Sequence, residues 1–282
     1  MAIIATLNKE RNIIMKKLLS VISLLAVLAM AGCSADKPAE TTAATTKAET
    51  TAETTPATEA KPDLPEGAIY ADFVSGIPDG FECSDGWTNG DPFNVTWRKN
   101  SVTFEDGKMQ LTIDNDPVPS KGIPYSGAEF RSKDFYGYGR YEVCMKAIKN
   151  DGVVSSFFTY TGPSDNNPWD EIDIEVLGKD TTKVQFNYYT NGAGNHEYMH
   201  DLGFDASEDF HLYAFEWHKD KIVWFVDGEE VYTADKDIPV TEGKIMMNAW
   251  CGKGVDGWLK AFDDSKLPVT AEYKYLTFTP FE

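Results

Sequence analysis

From about residue 100 onward the chain alternates apolar and polar residues with a period of two, the repeat of a strand whose successive side chains face opposite ways. Ser101 to Glu105 and Met109 to Ile113 flank Asp106-Gly107, and Lys221 to Val226 and Glu230 to Tyr232 flank Asp227-Gly228. Both dipeptides suit the tight turn of a hairpin. Further strands are expected at Glu129 to Lys133, Arg140 to Ala147, Val153 to Tyr160, Asp170 to Leu177, Lys183 to Thr190, His211 to Trp217, Lys244 to Trp250 and Ala271 to Phe278. No helical periodicity of useful length lies between them. Many short strands punctuated by Gly, Pro and Asn predict an all-β domain, an antiparallel β-sandwich or jelly roll.

One strand departs from an ordinary polar face. Residues 168 to 178 read PWDEIDIEVLG, so Glu171, Asp173 and Glu175 share one face while Ile172, Ile174 and Val176 enter a core. Same-face neighbours lie roughly 7 Å apart, so ionising all three is opposed by repulsion and at least one pKa is expected to rise. Carboxylates with unequal pKa values side by side are what glycoside hydrolysis uses, one as acid and one as nucleophile or base. A half-buried strand with a solvated polar face is the plainer reading. Trp87, Phe93, Trp97, Phe158, Tyr160, Trp169, Tyr189 and Trp250 supply flat faces on which sugar C–H groups pack, although core filling accounts for some of them.

The N-terminal region has another character. Met15-Lys16-Lys17 opens a basic segment, the largely aliphatic run Leu18 to Ala29 follows, and Met30-Ala31-Gly32-Cys33 closes it, so residues 1–32 read as a secretory signal too short to span a membrane. Residues 1–14 precede Met15, the better translation start. The Ala-Gly-Cys ending resembles a bacterial lipoprotein signal, in which Cys33 would carry lipid and anchor the protein to a membrane; ordinary secretion is the alternative. Ser34 to Pro62 contains nine Thr, eight Ala and no Ile, Leu, Val, Met or aromatic residue. That composition cannot offset the entropy of ordering, so 33–64 is expected to be a disordered linker and 65–282 one large folded domain.

With 26 Lys plus Arg against 45 Asp plus Glu, the net charge of −19 argues against a nucleic-acid partner. Four cysteines, Cys33, Cys83, Cys144 and Cys251, show no paired metal-ligand spacing. His196-Glu197-Tyr198-Met199-His200 matches the zinc-protease pattern HExxH, which needs both histidines one turn apart on a helix. Asn191-Gly192-Ala193-Gly194-Asn195 before it and Asp201-Leu202-Gly203 after it leave too few residues for one, and the third ligand position falls on Ala206. These are expected to be loop residues, and His211 and His218 structural histidines on or beside strands.

The stretch TYTGPSDNNPWDEIDIEVLGKDTTKVQFNYYTNGAGNHE, with GWTNGDPFNVTW before it and KIMMNAWCGKGVDGWL after it, closely resembles bacterial lichenases, the endo-β-1,3-1,4-glucanases of glycoside hydrolase family 16. The resemblance covers nearly all of residues 70 to 280. It implies a concanavalin-like jelly roll with a concave active-site cleft and endo cleavage of mixed-linkage β-1,3-1,4-glucan with retained configuration. Glu171 matches the nucleophile, Glu175 the general acid/base and Asp173 the assisting residue. Trp87, Asn89, Glu129, Arg131, Phe158, Tyr160, Trp169, Asn187, Tyr189, Glu197, Asn248 and Trp250 match substrate-binding positions.

Two departures from the family pattern stand out. The positions of a disulfide common in lichenases read Val95 and Tyr125-Ser126, and Lys274 occupies the position of an aspartate ligand to a structural calcium, so neither bridge nor ion is expected, and no cofactor. Laminarinases usually carry one more residue between the acids, so the regular EIDIE favours mixed-linkage glucan. A laminarinase or xyloglucan-active enzyme of this fold is the alternative, and a non-catalytic glucan-binding module is the alternative of another class. The expected protein is a monomer, secreted or held at the cell surface. Globomycin, which blocks lipoprotein signal cleavage, should make unprocessed precursor accumulate; normal processing would mean plain secretion.

Overall fold

The computed structural model describes residues 64–120 and 122–281. The expected signal segment, nearly all of the linker and Cys33 lie outside the described residues.

Sixteen strands occur among the described residues, and every strand predicted from alternation is present. Concave-side strands are β2 (Phe81–Cys83), β6 (Ile123–Ser132), β8 (Val153–Thr161), β9 (Asp170–Leu177), β10 (Lys183–Tyr189), β11 (Tyr198–Asp201) and β15 (Lys244–Cys251), joined in the order β11-β10-β9-β8-β15-β6 with β2 also on β6. A second layer contains β5 (Lys108–Ser120), β7 (Gly139–Lys146), β12 (His211–Trp217), β13 (Ile222–Val226), β14 (Glu229–Ala234) and β16 (Val269–Pro280) in the order β5-β16-β7-β12-β13-β14. The long strand β5 joins the layers. Its first half pairs with β16, and Asp114 near its middle pairs with Ser126 of β6, so one sheet folds over on itself. β1 (Ile69–Ala71) and β4 (Val102–Glu105) extend the second layer, and β3 (Val95–Trp97) runs parallel to β6 with Val95 opposite Tyr125.

The alternation explains the core. Ile172, Ile174 and Val176 of β9 are fully buried, as are Phe157, Phe186, Phe215 and Trp224. Phe186 stacks on Trp224 with centroids 5.6 Å apart, Trp224 Nε1 donates to the Asp173 carbonyl at 3.2 Å, and Tyr273 Oη donates to the Ser156 carbonyl at 3.0 Å. These contacts tie the back of the strand bearing the acids, and its neighbour β8, to the second layer. The two expected hairpins close as read: Asp106-Gly107 and Asp227-Gly228 all have positive φ, the geometry of the turn that matches strand twist.

β1, β2, β3 and β11 were not expected, because three or four residues show too little alternation. β11 corrects the reading of the HExxH stretch as loop throughout: its second half is an edge strand. His196 stacks on Tyr188 at 3.9 Å and His200 on Phe186 at 6.3 Å, so the histidines pack on rings. His211 contacts Asp227 at 2.8 Å and His218 contacts Glu216 at 3.1 Å, the structural roles expected. A single turn of helix, α1 (Asp256–Leu259), was also not expected.

Lys274 stands at a bulge in β16, its ammonium 4.3 Å from the centroid of Phe210. A cation there offers no carboxylate to calcium. Among the described residues no group of three or more His, Cys, Asp or Glu is arranged to hold a metal ion.

The start of β9 is fastened by Asp170, whose buried carboxylate accepts from the backbone N–H groups of Asn191 (2.7 Å), Val240 (3.0 Å) and Thr241 (2.9 Å). Hydrogen bonds to a charged group contribute about 1.5–3 kcal/mol each, so Asp170→Ala should lower unfolding free energy by more than about 3 kcal/mol and Asp170→Asn by less. Urea denaturation measures both; a loss under about 1 kcal/mol for the alanine variant would show that the anchor is dispensable.

Candidate active site

Antiparallel register arranges the outer face of the β11-β10-β9-β8-β15-β6 layer in rows. The first runs Tyr189, Glu171, Tyr160, Lys244; the second Asn187, Asp173, Phe158, Met246, Arg131, Glu82; the third Met199, Gln185, Glu175, Ser156, Asn248, Glu129. Each acid therefore lies in its own row, beside side chains from three other strands for Glu171 and from five for Asp173 and for Glu175. A cleft of about 450 Å³ lies over this floor, walled by Trp87, Asn89 and Phe93 at one side and Trp169 and Asp165 at the other.

Burial dominates the electrostatics. Asp173 is 6 % exposed and its carboxyl is held well above the usual range, first by loss of water, then by the charges of Glu171 and Glu175. Glu171 is pushed up to about 7 by burial, against the pull of hydrogen bonds from the Trp169 indole and from Asp173. Glu175 is pushed up to about 8 by burial and by the Glu171 charge, while the Gln185 amide opposes the shift and Glu197 adds to it. The repulsion expected between neighbouring acids is present and secondary to desolvation. The hydrogen bond between Asp173 and Glu171 also makes them the closer pair, as simple strand spacing suggests.

Of the residues expected to bind substrate, nine line the cleft with the acids: Trp87, Asn89, Glu129, Arg131, Phe158, Tyr160, Trp169, Asn248 and Trp250. Asn187 and Tyr189 lie on the same floor, Tyr189 stacked on Trp169 at 4.5 Å, and the Asn187 Oδ1 is buried without a hydrogen-bond partner. Glu197 stands exposed beside them, near enough for its charge to reach Glu175. Trp97, counted among the flat faces, is wholly buried; its indole donates to Asn89 Oδ1 at 2.8 Å and its ring props Trp87 and Phe93 edge-on. Glu129 accepts from Ser84 Oγ at 2.6 Å and burial pushes it up to about 7, whereas Arg131 pairs with Glu82 at 2.9 Å beneath the Trp87 ring.

Residues the sequence did not single out complete the floor: Ser156, whose Oγ donates to Asn248 Oδ1 at 2.6 Å, Lys244, Met246 and Gln185. Their signal lies in the register, since each stands opposite a residue that was singled out.

A sequence profile described as "Glycosyl hydrolases family 16" matches residues 89–274, a span holding all three acids and the cleft apart from Trp87. The chain belongs to glycosyl hydrolase family 16. A "Xylanase/beta-glucanase" of Ruminococcus flavefaciens is 59% identical over 74% of this chain and 27% of its own length. A "Beta-glucanase" of Acetivibrio thermocellus is 57% identical over 77% of this chain and 63% of its own. The chain thus spans about a quarter and just under two thirds of the lengths of these two relatives. A solved structure of a prokaryotic beta-1,3-1,4-glucanase (lichenase) from a mouse hindgut metagenome superimposes with a TM-score of 0.74 at 56% identity, over 76% of this chain and 99% of that one.

The raised carboxyl of Glu175 has a stability consequence. Below its unfolded value of 4.5 both states hold the proton and there is no penalty; between 4.5 and about 8 the unfolded chain ionises first, so stability falls as pH rises. Glu175→Gln should therefore unfold at higher denaturant than the native protein at pH 8, with the gap closing toward pH 4.5. Denaturation midpoints across that range test this, and a pH-independent gap would contradict it.

Proposed function

We propose that the domain is an endo-acting, retaining β-glucanase that cleaves mixed-linkage β-1,3-1,4-glucan. The observation that carries the reading is the floor of the cleft, where two glutamates with separate N–H donors flank a buried aspartate that hydrogen-bonds one of them. Relatives named beta-glucanase and a lichenase, sharing more than half of the aligned sequence, support the substrate class.

In the first step Glu175 donates its proton to the glycosidic oxygen while Glu171 attacks the anomeric carbon from the opposite face, forming a covalent glycosyl-enzyme. Hydrogen bonds from the Trp169 indole and from Asp173 favour the anionic form of Glu171, in keeping with the role of nucleophile. Asp173, kept protonated by burial, supplies that donor and spares the site a third negative charge. Water, deprotonated by Glu175, then releases the sugar. No metal or organic cofactor enters these steps.

An open cleft suits the middle of a long chain better than its end, which supports endo cleavage. Trp87 and Trp169, both more than a third exposed, offer faces to sugar rings, and the unpartnered Asn187 oxygen would accept from a sugar hydroxyl. A signal-bearing N-terminus with a lipid-carrying Cys33, a Thr/Ala linker and a monomeric catalytic domain would place this activity outside the cell, at the surface or free.

Reducing-end release and viscosity on barley mixed-linkage glucan, laminarin, carboxymethyl cellulose and xyloglucan test the reading beside Glu171→Gln. Rapid viscosity loss on barley glucan, reduced roughly 10³-fold or more by the substitution, is the expected result. Preference for laminarin or xyloglucan would overturn the specificity, and binding without cleavage would make the domain a glucan-binding module.

A further inference from the structure

Gln185 and Trp258 form a two-step contact that ends on Glu175. Gln185 lies on β10 directly opposite Glu175, is 5 % exposed, and donates from Nε2 to Glu175 Oε2 at 2.7 Å. Its Oε1 accepts from the Trp258 indole Nε1 at 3.0 Å. Trp258 stands on α1, partly buried against the core, with its ring centroid 6.0 Å from that of Trp250.

The chemistry of the two groups fixes the direction of the chain. An indole N–H only donates, whereas a side-chain amide has one donor end and one acceptor end. With Trp258 donating, the carbonyl of Gln185 is committed to the indole, and the NH₂ must face Glu175. Were the amide reversed, a carbonyl oxygen would face the carboxyl. A protonated Glu175 would then give its proton to Gln185 as a hydrogen bond.

We propose that Gln185, oriented by Trp258, is a positioning residue that directs the proton of Glu175 to the glycosidic oxygen. The proposal rests on the reading of Glu175 as acid/base. Because Oε2 already accepts from the amide, the acid carries its proton on Oε1. In the first step the Oε1–H bond breaks and the proton passes to the leaving oxygen, which also takes the electron pair of the broken C–O bond. Glu171 supplies the pair for the new bond. The carboxylate left on Glu175 keeps the Gln185 amide as donor, and the same contact holds while Glu175 takes a proton from water.

Trp258→Phe removes the indole N–H and keeps a ring against Trp250. Its kcat/KM is to be measured on barley glucan and on a 2,4-dinitrophenyl β-gluco-oligosaccharide, whose leaving group departs without a proton. The expected result is a loss of about ten-fold or more on the polysaccharide, a small change on the aryl substrate, and KM within about two-fold. Equal losses on both substrates, or a rise in KM alone as for a sugar platform, would overturn the proposal. Gln185→Glu is the second arm, keeping an acceptor for Trp258 while turning an oxygen toward Glu175. It should move the basic limb of the kcat/KM profile to higher pH, and an unmoved limb would count against the positioning role. Glu175→Ala separates the underlying reading. Loss on glucan with the aryl substrate spared supports Glu175 as the acid whatever the other variants do, and equal loss on both refutes it.

Discussion

Everything at the site depends on the burial of the apolar face of β9. Ile172, Ile174 and Val176 have no exposed surface, and a one-residue slip in register would send them to solvent and the acids into the core. Burying each aliphatic side chain contributes about 1.5–3 kcal/mol, against which the strain of three crowded carboxyls on the other face can be sustained. The second layer presses the same strand from behind through Trp224, whose indole reaches the Asp173 carbonyl. The acids are thus held on a strand fixed on both edges and from beneath, a more exact support than a loop provides.

The same burial shapes the chemistry. Taking carboxyls out of water favours their neutral forms, and each N–H donor then restores part of the anionic form at a chosen residue. Glu171 receives an N–H from Trp169 and the carboxyl O–H of Asp173, and Glu175 receives an N–H from Gln185. Each acid thus answers to its own donors and neighbouring charges in a common dry setting. Asp173, with two acidic neighbours and no such help, is held well toward the protonated state.

Much of this was legible in the residue pattern. The strand repeat alone points to the fold class, and three acids alternating with aliphatics point to a shared face. What escaped has physical reasons. Short edge strands such as Val95–Trp97 and Tyr198–Asp201 owe their existence to neighbours, not to their own alternation. Four residues around Trp258 cannot show a helical period. Gln185 reads in KVQFNYY as an unremarkable polar position, and only the pairing of β9 with β10 sets it against Glu175. The dominance of desolvation over repulsion likewise required knowing what covers the strand.

On the proposed reading, the cleft must hold an uncharged polysaccharide in a strongly acidic protein. The chain carries 45 acids to 26 bases, yet the acids on the floor are drawn toward neutrality by burial, and Arg131 and Lys244 stand in the same rows. A neutral glucan feels no long-range pull from that field and no repulsion either. Its affinity must come at short range, from ring faces such as Trp87 and Trp169 and from fixed polar groups such as Asn248 and Glu129. Those groups are themselves braced: Asn248 by Ser156, Glu129 by Ser84, Trp87 by Trp97. Bracing matters because a donor or acceptor already in place surrenders less entropy when a sugar hydroxyl arrives. On the proposed reading, the buried network behind the cleft contributes to substrate recognition although it never touches the substrate.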